Sequence, residues 1–413
     1  MQIQLLRCDT TKVLIVTDTF PPEKVGSYRM HDLAVNLAKN GDAVTVLCPP
    51  PTFPFGSFNR IWKPATVTHS ERFRVVNLWT WQPNSPNLSK LSRMLYYAVM
   101  PILAIAWTIM NLDFHVIITS SGTTPLVWLP GLLQKRLFKK PWILDERDLL
   151  IDGAINLGFL EKNAFLTLLL RKQELICYQN CDYVLVTSEN ARRTVLSYGV
   201  HENKVLLIPN GAETEIFVPM TCAKKSQIIY TGNIGYAQDF DCVIAAMKEI
   251  TSHNIHLVIV GEGECKQYVK DLVSANNLGD YVTFTGGLER SKLPSLLSES
   301  IAGLAPVKKL DVIQNQISAK IFDYMACGIP FVAVGGSELK QIADCSGAGF
   351  ALDNDADIIA KTIIHLAKNP ELGKEMGRKG RQYCEKFYNR KIMANKIKLL
   401  IRTLLNRSEN NSN

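Results

Sequence analysis

The sequence contains no C-x-x-C pair, no G-x-S-x-G elbow, no P-loop and no block of five like charges. Its ten cysteines are scattered singly, and the nearest two, Cys177 and Cys181, stand at helical spacing. That distribution excludes a zinc ribbon and a disulfide framework. With no cleavable leader segment recognisable, it points to a reducing cytoplasm. His253 and His256 straddle a loop-to-strand junction, so they offer no metal site. A net charge of +8 without clustering argues against a dedicated nucleic-acid binder, yet permits attraction to phosphate or anionic lipid.

What is present is an ordinary globular composition, 47% hydrophobic and 20% charged, over 413 residues. That length suits two domains of roughly 200 residues rather than one core. Short apolar runs bounded by Gly, Ser or Pro recur, as in KVLIVT, AVTVLC, HVIITS, WILDE and YVLVTS, then QIIYTG, HLVIVG, YVTFTG, IAGLAP and PFVAVG. Such runs read as strands buried on both faces. Amphipathic helices lie between them, one carrying Met30, Leu33, Ala34 and Leu37 on a single stripe. The class is therefore α/β, with parallel sheets covered by helices. Asn210-Gly211 and flanking prolines interrupt the alternation near mid-chain, which places a hinge there. Residues 1–208, 209–388 and 389–413 are accordingly expected to be a first domain, a second domain, and a closing helix with a polar tail. Residues 1–11 precede the first strand as a short extension or an overcalled start.

Met94 to Met110 is almost wholly apolar, but at 17 residues it is at the lower limit for spanning a bilayer. Spanning would also tear one sheet apart. Two readings stay open: a buried helix, or one lying in the membrane interface, which Lys135, Arg136, Lys139 and Lys140 favour.

The richest stretch is VIQNQISAKIFDYMACGIPFVAV, from Val312 to Val334. Small polar residues up to Ser318 open a helix bearing Lys320 and Asp323. Unpaired N–H groups and the helix dipole favour an anion in front of such a terminus. Lys320 adds a cation, and Asp323 is placed to accept hydrogen bonds from hydroxyls. Together they suit a nucleoside diphosphate joined to a sugar. Glycine turns elsewhere also suit a phosphate: Gly26 and Ser27 after the first strand, and Gly232 and Gly235 in YTGNIGYAQ. VGEGE is no dinucleotide fingerprint, since Lys266 stands where a third glycine is needed. Asp145, Glu146, Arg147 and Asp148 follow a strand, so they are expected to line the cleft at its carboxyl end.

The stretch around Lys320 resembles the S-x-K-x-[FY]-E-Y-M-A-x-G-x-P signature of retaining, nucleotide-sugar-dependent glycosyltransferases of family 4. DERDLL resembles the D-x-R-D-L-W segment of the fucosamine and amino-sugar transferase branch of surface-polysaccharide assembly, with Leu150 in place of Trp. The loop PPEKVGS is similar to the family's P-P-x-x-G-G, with Ser27 for the second glycine. The resemblance implies a GT-B fold, two Rossmann-like domains facing across a cleft, whose last helix crosses back to the first domain. It implies donor contacts from Gly26, Ser27, Gly232, Asn233, Gly235, Gln238, Gly261, Gly263, Gly286, Ser318, Lys320 and Asp323, with Lys320, Asp148 and Arg147 in the catalytic region.

The departures are equally specific. Asn233 and Gln238 replace the Arg and Lys that commonly hold the diphosphate, which leaves Lys320 as its cation. Asn315 and Asp323 stand for the family's E-x7-E pair, and Ser120 and Ser121 occupy the place of a common histidine. The resemblance further implies a UDP-linked sugar as co-substrate, no metal or other cofactor, and an acceptor that is lipid-linked or a polysaccharide precursor. With the cysteine distribution, the apolar helix and the basic run, this places the expected location in the cytoplasm, peripheral on the inner face of the cell membrane. A sugar-nucleotide epimerase of the same fold and a non-catalytic sugar-nucleotide-binding subunit are the alternatives.

Overall fold

The computed structural model describes residues 10–23, 28–70, 72–85, 89–122 and 124–410. Two sheets carry the architecture. The first contains β1 (Lys12–Thr17), β2 (Ala43–Cys48), β3 (Ala65–His69), β4 (Arg74–Leu78), β5 (Val116–Ser121), β6 (Trp142–Glu146), β7 (Tyr183–Val186) and β8 (Val205–Leu207), in the order 3-4-2-1-5-6-7-8. All pairs are parallel except β3 with β4. The second contains β9 (Gln227–Thr231), β10 (His256–Val260), β11 (Val282–Gly286), β12 (Gly303–Ala305), β13 (Phe331–Val334) and β14 (Gly349–Leu352), all parallel, in the order 11-10-9-12-13-14.

Strand alternation assigns each side chain to a face. From β1, Val13 and Ile15 pack under α1 (Arg29–Lys39), while Leu14 and Val16 point to the opposite layer. That opposite layer is α2 (Lys90–Met110), α3 (Leu129–Phe138) and α5 (Phe165–Asn180), with the short α4 (Leu150–Asn156) before α5. α6 (Glu189–Ser197) completes the first half. Around the second sheet lie α7 (Phe240–Ile250), α8 (Lys266–Ala275), α9 (Leu293–Ser298), α10 (Asp311–Gln314), α11 (Lys320–Ala326), α12 (Ser337–Ser346), α13 (Ala356–Lys368) and α14 (Pro370–Phe387). The final helix, α15 (Arg390–Asn410), buries Met393, Ala394, Ile397, Ile401 and Leu404 against the first sheet beside α1.

The ten apolar runs are all strands. Four strands have no such run. β3 is almost wholly exposed, β8 and β14 are edge strands of three and four residues, and β4 is buried at only two of its five positions. The mid-chain break begins with β8 itself; past it, Ala212 donates to the Tyr388 carbonyl and Arg390 to that of Ala212. The two crossings between the halves therefore run side by side.

α2 is neither a spanning nor a wholly buried helix. Met100, Ala104 and Thr108 are buried, whereas Leu91, Met94, Ile102 and Met110 are exposed. Among the described residues no helix is long and apolar enough to cross a membrane.

Candidate active site

The carboxyl ends of β9, β10 and β11 bring three turns together. Gly232 donates to the Val260 carbonyl (2.9 Å), Ile234 to Glu262 (2.8 Å) and Gly261 to Gly286 (3.0 Å). These contacts admit no side chain at Gly261, where a Cβ would collide with the Gly232 carbonyl. Gly263 and Gly235 lie in the same bundle of turns, while Asn233 is exposed.

Lys320, the first residue of α11, lays its side chain across this bundle. A Cβ on Gly232 would stand 2.7 Å from the lysine Cε, and the ammonium sits 5.1 Å above the Tyr230 ring. Among the described residues it has no ion-pair partner. Burial pushes its pKa down to about 8 against the pull of Asp323 and Asp148. Ser318 lies half-buried two residues ahead.

One turn further along α11, Asp323 holds a buried Oδ1 without a hydrogen-bond partner. Burial, opposed by Arg390, Arg290 and Lys320 and aided by Asp32, leaves its pKa raised to about 6. Gln238 also keeps a buried, unpartnered Oε1. A cation and a carboxylate one helical turn apart, both unpaired and beside glycine turns, form a site that can take an anion and a hydroxyl pair together.

From the first half, Asp148 faces this site. Its carbonyl accepts from the Gln316 side chain (2.5 Å), and its carboxyl is raised by burial and by Asp145, with Arg147 and Arg29 lowering it. The Arg147 guanidinium covers Gly122. Their neighbours in sequence do not line the cleft as expected. Asp145 is fully buried, paired with Arg29 (2.8 Å) and accepting from Ser120 (2.7 Å). Glu146 is buried too, accepting from the Tyr178 hydroxyl and the Leu149 amide. The parallel β6 is enclosed on both faces, so its last two carboxylates turn into the protein. Arg29 also donates to the carbonyls of Ile208 and Pro209 at the hinge. Gly26 and Ser27 lie outside the described residues.

Several cleft residues had no signal in the sequence. Asp32 of α1 is gripped bidentately by Arg290 (2.7 and 2.8 Å) and bonded by Arg390, with His31 at 3.1 Å. Burial opposes its ionisation, but His31, Arg390 and Arg290 together hold its pKa well below the usual carboxylate range. Arg290 also stacks over Tyr28 at 4.5 Å. On the far rim, Glu338 accepts from the amides of Glu189 and Asn190 at the start of α6, and Tyr236 meets Phe159 edge-on. The cleft is thus latched at both ends. Partners separated by 258 residues leave no local pattern to read.

Arg290→Leu removes one side of the Asp32 pair but leaves Arg390 in place. Its expected effect is a larger radius of gyration by small-angle scattering with unchanged circular dichroism. An unchanged radius would mean that closure is held by the other contacts.

Among the described residues no three His, Cys, Asp or Glu side chains gather as a metal would require.

The comparisons with known proteins agree with the two-domain fold. Residues 26–211 match the family model described as Glycosyl transferase 4-like domain, and residues 213–383 match Glycosyl transferases group 1. The chain belongs to the GT-B glycosyltransferases that join these two domains. A curated relative is WcaI of Escherichia coli K12, provisionally named a colanic acid biosynthesis glycosyl transferase. It is 23% identical over 362 residues, covering 81% of this chain and 86% of WcaI. Sucrose-phosphate synthase from Thermosynechococcus elongatus superposes with a TM-score of 0.77 at 19% identity, over 96% of this chain and all of that one. Anabaena HepE, solved with UDP and glucose, gives 0.71 at 12% identity, over 95% and 99%. At these identities the two solved structures establish the shared fold alone.

Proposed function

We propose that the protein is a retaining family-4 glycosyltransferase that moves a sugar from a UDP-linked donor to a lipid-linked or polysaccharide-precursor acceptor in cell-surface glycan synthesis. The observation that carries this reading is the unpaired Lys320 ammonium lying against Gly232, one helical turn from the unpaired carboxylate of Asp323. HepE binds UDP on the same fold, and WcaI is provisionally placed in polysaccharide synthesis, which supports the donor and pathway class. The DERDLL segment supports the amino-sugar branch.

In this reading the diphosphate lies along the glycine turns with Lys320 as its cation, a role that needs no metal. The bond from the anomeric carbon to the diphosphate oxygen breaks as charge grows on that oxygen, and Lys320 stabilises it. The acceptor oxygen bonds to the same face of the anomeric carbon, and its proton passes to the departing phosphate. Asp323 receives the ribose hydroxyls. Asp148 and Arg147 bound the sugar and acceptor side. The basic run expected to meet the membrane contributes less than its sequence suggests, since Lys135 pairs with Asp182 and Lys140 bonds the Phe114 and Leu112 carbonyls.

A thermal-shift screen of nucleotide sugars tests the proposal, because a ligand bound only to the folded state raises its melting temperature. Product analysis then separates transfer from epimerisation and from mere binding. No shift with any nucleotide sugar would refute the donor site.

Asp323 gives a sharper test. Asp323→Asn should weaken UDP binding roughly tenfold, the worth of one charge-assisted hydrogen bond, and Asp323→Glu should retain it. Wild-type affinity should also fall as pH drops through about 6, where the carboxylate takes up its proton. Calorimetric titration decides: equal affinity in all three proteins would place Asp323 outside the site.

A further inference from the structure

The first half of the chain exposes apolar side chains at one particular edge. The turn Pro125–Trp128 leaves the carboxyl end of β5, so it lies on the edge of the sheet that faces the cleft. It contacts both α2 and α5. Gln173 of α5 donates to the Pro125 carbonyl (3.0 Å), so the eight residues of α5 that precede it reach past this turn. That projecting end carries Phe165, 83% exposed, with Leu166, Leu168 and Leu169 each more than half exposed. On the other side of the turn, α2 begins at the same edge. The Thr80 hydroxyl, just beyond β4, bonds the carbonyls of Leu95 and Tyr96, and Leu91 and Met94 stand exposed in the preceding turn.

The charge around these prongs is mostly positive. α2, α3 and α5 contain a single acidic residue, Glu174, which is fully buried against Arg171. Lys162 and Lys172 are exposed beside the α5 prong, with Glu161 the one exposed acid next to them among the described residues. A second copy of this chain would set basic against basic at this face, which opposes self-association. Large apolar side chains on a projecting helix end, within basic surroundings, are matched by the headgroup layer of an anionic bilayer.

We propose that Phe165, Leu166, Leu168 and Leu169, with Leu91 and Met94 across the turn, insert into the headgroup layer of an anionic membrane and hold the cleft mouth against it. This rests on the lipid-linked acceptor proposed above, and it identifies where such an acceptor enters: between the two prongs, over the carboxyl edge of the first sheet.

The test is flotation of the full-length protein with phosphatidylglycerol–phosphatidylcholine vesicles and with phosphatidylcholine alone, at low and high salt. Binding to the anionic vesicles is expected, weakening as salt screens the headgroups. The variant Phe165→Ser/Leu166→Ser/Leu168→Ser/Leu169→Ser should bind at least tenfold less. These side chains are exposed, so the variant should keep its circular dichroism and its thermal shift with UDP. Equal flotation of variant and wild type would overturn the proposal, as would failure of the wild type to bind. A wild-type dimer in light scattering that the variant abolishes would also overturn it, making the face a self-interface. The UDP shift reports on the donor site separately: loss of that shift in the wild type would sink the transferase reading, whatever the vesicles show.

Discussion

Lys320→Ala is expected to lose about 2–4 kcal/mol of transition-state stabilisation, roughly thirtyfold to a thousandfold in turnover, with its circular dichroism unchanged. Asn233 and Gln238 bring no charge to the diphosphate, and among the described residues the Lys320 ammonium is committed to no carboxylate. The wild-type kcat/KM should fall as pH rises through about 8, where the free enzyme's Lys320 gives up its proton. The same group has the opposite sign in stability. Its folded pKa lies below the ordinary lysine value of 10.5, so the unfolded chain binds more protons and stability rises with pH between about 8 and 10.5. The alanine variant should therefore melt no lower than the wild type at pH 7. Near-wild-type turnover would remove Lys320 from the reaction; a collapsed fold would show that it serves packing.

Arg29→Ala is expected to cost about 3–5 kcal/mol of stability, because it strands a fully buried carboxylate. Arg29 and Asp145 are 7% and 0% exposed, and among the described residues Ser120 alone would remain to answer Asp145. The lost bonds to Ile208 and Pro209 add to the damage at the hinge. For a domain of this size the melting transition should drop by roughly 6–20 °C. A double variant, Arg29→Met with Asp145→Leu, should regain part of that loss, since an apolar pair of similar volume avoids the unpaired charge. Calorimetry of the three variants measures this. A loss below about 1 kcal/mol in Arg29→Ala would mean that the pair is already solvated.

These two residues mark what could be read from the sequence and what could not. Lys320 was legible because its setting is local: a helix start, Asp323 one turn on, and a glycine-proline exit into an apolar strand. The central strands were legible for the same reason, being continuous apolar runs between Gly, Ser and Pro. Edge strands such as β8 bury too little to leave a pattern. Arg29 left no local signal of its role, since its partner lies 116 positions away. Asp145 and Glu146 stand at a strand end where charges commonly reach the cleft; only packing beneath α1 and against Tyr178 shows that they turn inward. The Arg290–Asp32 latch and the α5 prong belong to this non-local class, because one needs the two halves closed and the other needs the exposure of each face.

The first-formed product of donor turnover tests the central claim most directly. Followed by proton NMR, slow hydrolysis of a UDP-linked sugar by the purified protein should release free UDP and a sugar whose first-formed anomer keeps the donor's configuration, and Lys320→Ala should abolish that release. First formation of the opposite anomer, or no cleavage of any nucleotide sugar that binds, would contradict it.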